Sequence, residues 1–213
     1  ESLDDFLLDL FENGRPMEDG TRSKIAPRTV NSVRTVLKIL FQEACRLKKA
    51  PLNPMEDVDK FKETPEERGV LRMDEVRKLF EEDSVYRYWR GSHMMWLLAY
   101  VAAGTGMRQG ELRALMPKYV RFQSRLIMVE QALDESDVLK TPKWGSTREV
   151  PMPQKVAEEL EEWITEHAIA PGQFVFWSRT RKKEKDRPVS DFACRNSLRN
   201  ALGAIGVSEQ EQK

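Results

Sequence analysis

The stretch KFKETPEERGVL, Lys60 to Leu71, is charged, poor in apolar residues and interrupted by Pro65. A segment of that composition cannot bury enough apolar surface to offset the entropy of ordering it in a core. It reads as an interdomain linker, and it forces the chain to build separate cores on either side. The 213 residues are enough for one large domain or two small ones, and a hydrophobic content of 40% supports real cores. The expected division is a helical domain over residues 1–62, a linker over 63–70 and a larger domain over 71–213.

Before the linker, SLDDFLLDLFE predicts a short helix capped by Ser2, with Phe6, Leu7, Leu10 and Phe11 on its apolar face. NGRPMEDG follows as turn chemistry. A long helix is then predicted from about Arg28 to Lys49. Val30, Val33, Leu37, Leu40, Phe41, Ala44 and Leu47 recur at spacings of three and four as a core stripe. Asn31, Arg34, Lys38, Gln42 and Lys49 keep the same period on another face. That basic stripe is either ordinary solvated surface or a binding face. Pro51 and Pro54 end the helix.

After the linker, RMDEVRKLFEED predicts a helix, and Ser84 to Arg90 a connection. The run from Met94 to Ala103 is hydrophobic nearly all round, as a central buried helix would be. It stops at Gly104-Thr105-Gly106, and a second helix starts around Arg108. The period then changes. SRLIMVEQAL (Ser124–Leu133) alternates like a strand, Lys140 to Gly145 makes a turn, and TREVPMP returns as a strand, giving a small antiparallel hairpin or three-stranded sheet. Pro153 to His167 is an amphipathic helix, FVFW (Phe174–Trp177) a short strand or extended segment, and Ser190 caps a last helix. The fold class expected is mainly α with a small antiparallel β-sheet.

No apolar run reaches the roughly 18 residues of a membrane span. The N-terminus, ESLDDF, is acidic where a signal peptide would be basic and carries no initiator methionine, so it reads as the interior of a longer gene product. Cys45 and Cys194 cannot build a disulfide framework and read as reduced residues of a cytosolic protein. His93 and His167 have no metal-site spacing. The formal net charge is zero, but it is unevenly spread. Glu1 to Lys24 has seven acids and three bases, Ile25 to Ala50 six bases and one acid, and Arg179 to Arg187 (RTRKKEKDR) six bases and two acids. Two basic segments are therefore hidden in a neutral total.

Two constellations carry chemistry. In GTGMRQGELRAL, Arg108 opens a helix behind a glycine turn, where the backbone can approach a ligand and the helix N-terminus favours anions. A guanidinium there adds a bidentate phosphate donor. Glu111, three residues on, lies on the same face, so the pair is either a helix-start salt bridge or half of an anion site. In VLKTPKWGSTREVPMP, a turn between strand-like flanks carries Lys140, Lys143 and Arg148. Its lysines either protect a sheet edge or reach into a neighbouring groove.

Taken in order, TGMRQGEL and, about thirty residues later, LKTPKWGSTREVPMP resemble the tyrosine recombinase/phage integrase family. Its first catalytic box reads T-G-x-R-x-x-E-L, and its hairpin carries K-T followed by R-x-V-P. GVLRMDEVRKLF resembles the start of its catalytic domain, and the N-terminal helices resemble its core-binding domain. The resemblance implies that Arg108 holds the non-bridging oxygens of a scissile phosphate. It implies that Lys140, with Lys143 as rival if the register shifts, protonates the leaving 5′-oxygen, and that Glu111 supports the arginines. Arg34, Lys38, Lys49, Lys143, Arg148, Lys182 and Lys183 become candidate DNA contacts. Double-stranded DNA is the implied partner and a homotetramer on two sites the implied assembly. No metal or other cofactor is implied, and the location is cytoplasmic and nucleoid-associated in a bacterium or phage.

The sequence also departs from that pattern. The second box, H-x-x-R, is missing: Trp96 and Ala170 stand three residues after the two histidines. Tyr86, Tyr88, Tyr100 and Tyr119 all precede Lys140, whereas the family's nucleophilic tyrosine lies near the C-terminus. The chain thus reads as a fragment of a recombinase that binds DNA without cleaving it. The alternatives are a non-catalytic DNA-binding protein on the same fold, a type IB topoisomerase with a similar pocket, and an ordinary helical scaffold.

Overall fold

The computed structural model describes residues 2–64, 69–141, 147–178 and 185–207. The chain divides into two compact units, Glu1–Glu67 and Arg68–Lys213.

The first unit starts with α1 (Leu3–Asn13). The Ser2 hydroxyl accepts the Asp5 amide at 3.1 Å, while the Asp5 carboxylate accepts the Ser2 amide at 3.0 Å. These reciprocal bonds satisfy two amides at the helix start. The expected turn holds a two-stranded ribbon, β1 (Arg15–Pro16) against β2 (Arg22–Ser23). Helix α2 (Pro27–Arg46) begins on proline, whose missing N–H costs nothing at that position. Leu7, Leu10, Val30, Met55 and Val58 form the core, and Phe11 stacks on Phe61 with ring centroids 4.6 Å apart.

The face pattern of α2 differs from the periodic expectation. Val30, Val33, Leu37 and Phe41 face the core, but Leu40 and Leu47 stand exposed beside Val36 and Ile39. Arg34, expected on an exposed basic stripe, is buried. Its Nε and Nη2 both donate to the Val58 carbonyl, the former at 2.7 Å. Asn31 beside it accepts the Phe61 amide and donates to the Phe61 carbonyl, both at 2.9 Å. The cause is the segment after α2. It folds back along the polar side of the helix and presents backbone groups that need partners.

In the second unit, α3 (Met73–Phe80) is followed by a short α4 (Ser84–Arg87), where only a connection was expected. Helix α5 (His93–Thr105) is central, with Met94, Trp96, Leu97, Leu98 and Val101 all buried. Helix α6 (Gln109–Arg113) follows. The sheet is three-stranded and antiparallel, β3 (Val120–Arg121), β4 (Leu126–Val129) and β7 (Arg148–Pro151), with β4 in the middle. Ile127 and Val129 point into the core, and Ile127 pairs with Val150. A separate ribbon, β5 (Ala132–Leu133) against β6 (Leu139–Lys140), was not foreseen. Helices α7 (Gln154–Glu166) and α8 (Asp191–Ala204) complete the unit, and Ser190 caps α8 through the Ala193 amide at 3.2 Å. Phe174, Val175 and Phe176 of FVFW are buried, but the segment forms only an isolated bridge between Trp177 and Pro188 rather than a strand. The fold is mainly helical with small antiparallel sheets.

Candidate nucleic-acid interface and phosphate site

The tight turn before Arg108 is built by Gly106. It takes a left-handed conformation (φ 65°) and donates its amide to the Ala102 carbonyl at 2.9 Å, closing α5. Met107 then plunges into the core, which leaves Arg108 at the N-cap of α6 with extended backbone. The helix can lie close to the β5–β6 ribbon only because residue 110 is glycine. A Cβ there would stand 2.5 Å from the Leu133 carbonyl oxygen. The arginine-bearing helix and the lysine-bearing ribbon are thus packed backbone to backbone.

Glu111 lies at the centre, 3% exposed. Its carboxylate accepts the Arg108 amide at 2.9 Å and Arg108 Nη1 at 3.2 Å. It also accepts Arg148 Nη1 and Nη2, at 2.8 and 2.7 Å, as a two-pronged pair. Burial alone would push the Glu111 carboxyl up. The hydrogen bonds from Arg148 and from the Arg108 backbone and side chain outweigh it and hold the group below its ordinary value. One buried carboxylate therefore binds two guanidiniums, leaving one net positive charge. Arg148 spends both of its terminal nitrogens on Glu111. The Arg108 side chain is 65% exposed and keeps Nε and Nη2 free of protein partners among the described residues. A charged donor fixed at its root and open at its tip suits an anionic oxygen.

Lys140 sits on β6, opposite Ala132. Its Nζ is 2.5 Å from Asp134 Oδ2. Arg113, absent from the sequence expectations, is fully buried at the end of α6. It donates to the Val189 carbonyl at 2.7 Å and to the Asp137 carboxylate, joining the start of α8 to the β5–β6 turn. Period-two alternation puts Arg148 on the same face of β7 as the buried Val150, but it does not identify the partner of Arg148. Nothing in the sequence flags Arg113, a lone arginine after Glu-Leu.

In the first unit, Lys38 pairs with Glu56 at 3.3 Å. Lys49 is exposed and makes no ion pair among the described residues, as do Lys24 and Arg28 around the start of α2. Lys143, Lys182 and Lys183, with most of the basic run from Arg179, lie outside the described residues. Among the described residues no cluster of His, Cys, Asp or Glu could hold a metal ion, and no helix is long and apolar enough to cross a membrane. Burial pushes the Cys194 thiol up to about 11, which leaves it protonated and unreactive at neutral pH. Tyr86 is exposed on α4. Tyr100 stacks on Trp96, and the hydroxyls of Tyr88 and Tyr119 approach Glu81 and Gln131 at 3.4 Å.

Solved structures share this architecture. The Tn1549 transposon integrase (residues 82–397) in complex with transposon right-end DNA superposes with a TM-score of 0.71 at 19% identity, covering 97% of this chain and 64% of that one. Lambda integrase (residues 75–356) bound to DNA gives 0.66 at 17% identity, covering 99% and 68%. A lambda integrase tetramer on a Holliday junction gives 0.62 at 19% identity, covering 85% and 48%. The chain thus spans about two thirds or less of these relatives. A search of the curated proteins found no match. The phage integrase family matches residues 69–212, the segment that holds Arg108, Glu111, Lys140 and Arg148. The chain belongs to the phage integrase family of tyrosine recombinases.

Proposed function

We propose that these residues are the DNA-binding and phosphate-binding part of a site-specific recombinase that cuts and rejoins DNA through a 3′-phosphotyrosyl intermediate. In that reaction a tyrosine oxygen attacks phosphorus, the bond to the 5′-oxygen breaks, and the leaving oxygen takes a proton. Rejoining runs the same steps backwards, so the bond energy is kept. Negative charge gathers on the non-bridging oxygens and on the leaving oxygen, so fixed cations and a proton donor carry most of the catalysis. Arg108 holds a non-bridging oxygen. Glu111 and Arg148 fix Arg108 in place, and Lys140 protonates the leaving oxygen. No cofactor takes part.

The observation that carries this is the half-satisfied Arg108. Its root is anchored on a buried carboxylate, and its open donors lie on a helix packed against the ribbon that bears Lys140. The DNA-bound relatives support duplex DNA as the ligand, and the lambda tetramer supports a tetrameric assembly of the whole enzyme. Lys49 and Lys38 are proposed as further DNA-facing cations, with Lys143, Lys182 and Lys183, whereas Arg148 is not, because both of its terminal nitrogens bind Glu111. Arg34 is withdrawn from that group, because its donors are spent on Val58.

With all four tyrosines ahead of Lys140 and three of them engaged in packing or hydroxyl contacts, the 213 residues bind duplex DNA without forming a covalent adduct. A labelled duplex, run on native and then denaturing gels, tests this. Retarded native complexes without a denaturant-stable adduct are expected. An adduct would overturn the non-cleaving assignment, and no retardation at low salt would overturn the DNA-binding one.

A further inference from the structure

The β5–β6 turn divides the work of one carboxylate. Asp134 Oδ1 accepts the Ser136 amide at 2.9 Å and the Val138 amide at 3.0 Å, and these bonds build the turn. Backbone bonds from Asp134 N to the Val138 carbonyl (3.1 Å) and from Asp137 N to the Asp134 carbonyl (3.2 Å) complete it. Asp137 is left-handed (φ 59°) and is pinned by the buried Arg113. The other oxygen, Asp134 Oδ2, makes no turn bond and faces the Lys140 ammonium at 2.5 Å. The turn is therefore rigid from both ends, whereas the lysine is held by one exposed contact: the Lys140 side chain is 62% exposed. Beside it runs an open groove of about 750 Å³, lined among others by Gly110, Arg113, Ser136 and Asp191.

We propose that Asp134 is a positioning residue for Lys140. Its free oxygen parks the ammonium on the hairpin turn, and a DNA phosphate displaces it. The inference rests on the proposal that Lys140 works on DNA. Two features favour a holding role over a merely structural one. The turn needs only Oδ1, so the second oxygen is not required for folding. An ion pair this exposed is also weak enough for the denser charge of a DNA backbone to displace it.

Asp134→Asn separates the two tasks, because an amide oxygen still accepts both turn amides while the charge that holds Lys140 is gone. Duplex affinity of the 213-residue chain, read by fluorescence anisotropy at several salt concentrations, is compared for wild type, Asp134→Asn, Lys140→Gln, the double variant and Glu135→Gln. The last removes the same charge from the neighbouring residue, which makes no ion pair among the described residues. Asp134→Asn is expected to bind about two- to fivefold tighter than wild type, Glu135→Gln to gain less, and the Asp134→Asn gain to vanish in the Lys140→Gln background. An equal gain with and without Lys140, or one matched by Glu135→Gln, overturns the inference alone. Wild-type protein that binds no duplex at low salt overturns the proposed DNA-binding role of these residues and this inference together. A DNA-free measurement guards against a misfolded variant: amine acylation, read by peptide mass spectrometry, should label Lys140 of the wild type more slowly than the exposed Lys49. Equal rates would contradict the parked lysine.

Discussion

Arg148 closes on Glu111 with two parallel hydrogen bonds, Nη1 to Oε1 at 2.8 Å and Nη2 to Oε2 at 2.7 Å, across 37 residues of sequence. The same carboxylate anchors Arg108 from the other side. This places the third strand of the sheet and the start of α6 under one charge. It leaves Arg108 as the member of the trio with donors to spare. Stability and ligand binding are therefore assigned to different residues of one cluster, and they should separate on mutation.

Replacing Glu111 by alanine leaves two guanidiniums facing each other and strips the Arg108 amide of its partner. Both arginines can turn to water, so the loss should stay below that of a wholly buried pair, at about 1–3 kcal/mol. Urea unfolding monitored by tryptophan fluorescence would show it as a lower midpoint.

The pH dependence follows from the same contacts. The folded Glu111 carboxyl lies below its ordinary value of 4.5. Its contribution is therefore fully present above that value and is lost as pH falls through the lower folded one. Thermal unfolding from pH 7 to pH 3 should show wild type and Glu111→Gln well apart at neutral pH and converging in acid. A constant gap across the range would count against the ion pairs as the source.

Gly110→Ala should destabilise the second unit by about 1–3 kcal/mol, because the new methyl meets the Leu133 carbonyl oxygen rather than a yielding side chain. The check is a thermal melt together with DNA affinity. Both should fall, since the helix bearing Arg108 is pushed off the ribbon bearing Lys140.

Arg34 and Lys49 make a contrasting pair in the first unit. Arg34→Met leaves the Val58 carbonyl without its buried donors and should lower stability by about 1–3 kcal/mol. Lys49→Ala should leave the melting temperature unchanged and reduce the salt dependence of DNA binding by about one unit of slope. Chemical denaturation and salt titration of the two variants decide between these roles.

The parts of the fold that periodicity controls were legible in the sequence. The all-apolar α5, the amphipathic α7, the Ser190 cap of α8 and the glycine turn ahead of Arg108 follow from local rules that act over a few residues. Where tertiary partners decide, those rules failed. Arg34 falls on the polar face of the α2 wheel, but a returning segment with unsatisfied carbonyls covers that face. Leu40 and Leu47 keep the core period, but nothing among the described residues covers them. The β5–β6 ribbon is two residues wide, too short for an alternation to show. At the site, the Arg108–Glu111 spacing was readable because both residues share one helix start. The closure of Arg148 on Glu111 and of Arg113 on Asp137 joins elements distant in sequence, and single-sequence patterns carry no signal for such pairs.

The most direct test of the phosphate site is the salt dependence of duplex binding by wild type and by Arg108→Ala. The Arg108 side chain makes one contact, at 3.2 Å to the buried Glu111, and Arg148 and the Arg108 amide keep that carboxylate paired, so its removal should cost no more than about 1 kcal/mol of stability. It should weaken DNA binding and lower the slope of log affinity against log salt by about one phosphate contact. Arg108→Lys should recover charge but not the two-pronged geometry, and so only part of the affinity. Unchanged affinity and slope in a folded Arg108→Ala protein would contradict the assignment of Arg108 to a DNA phosphate.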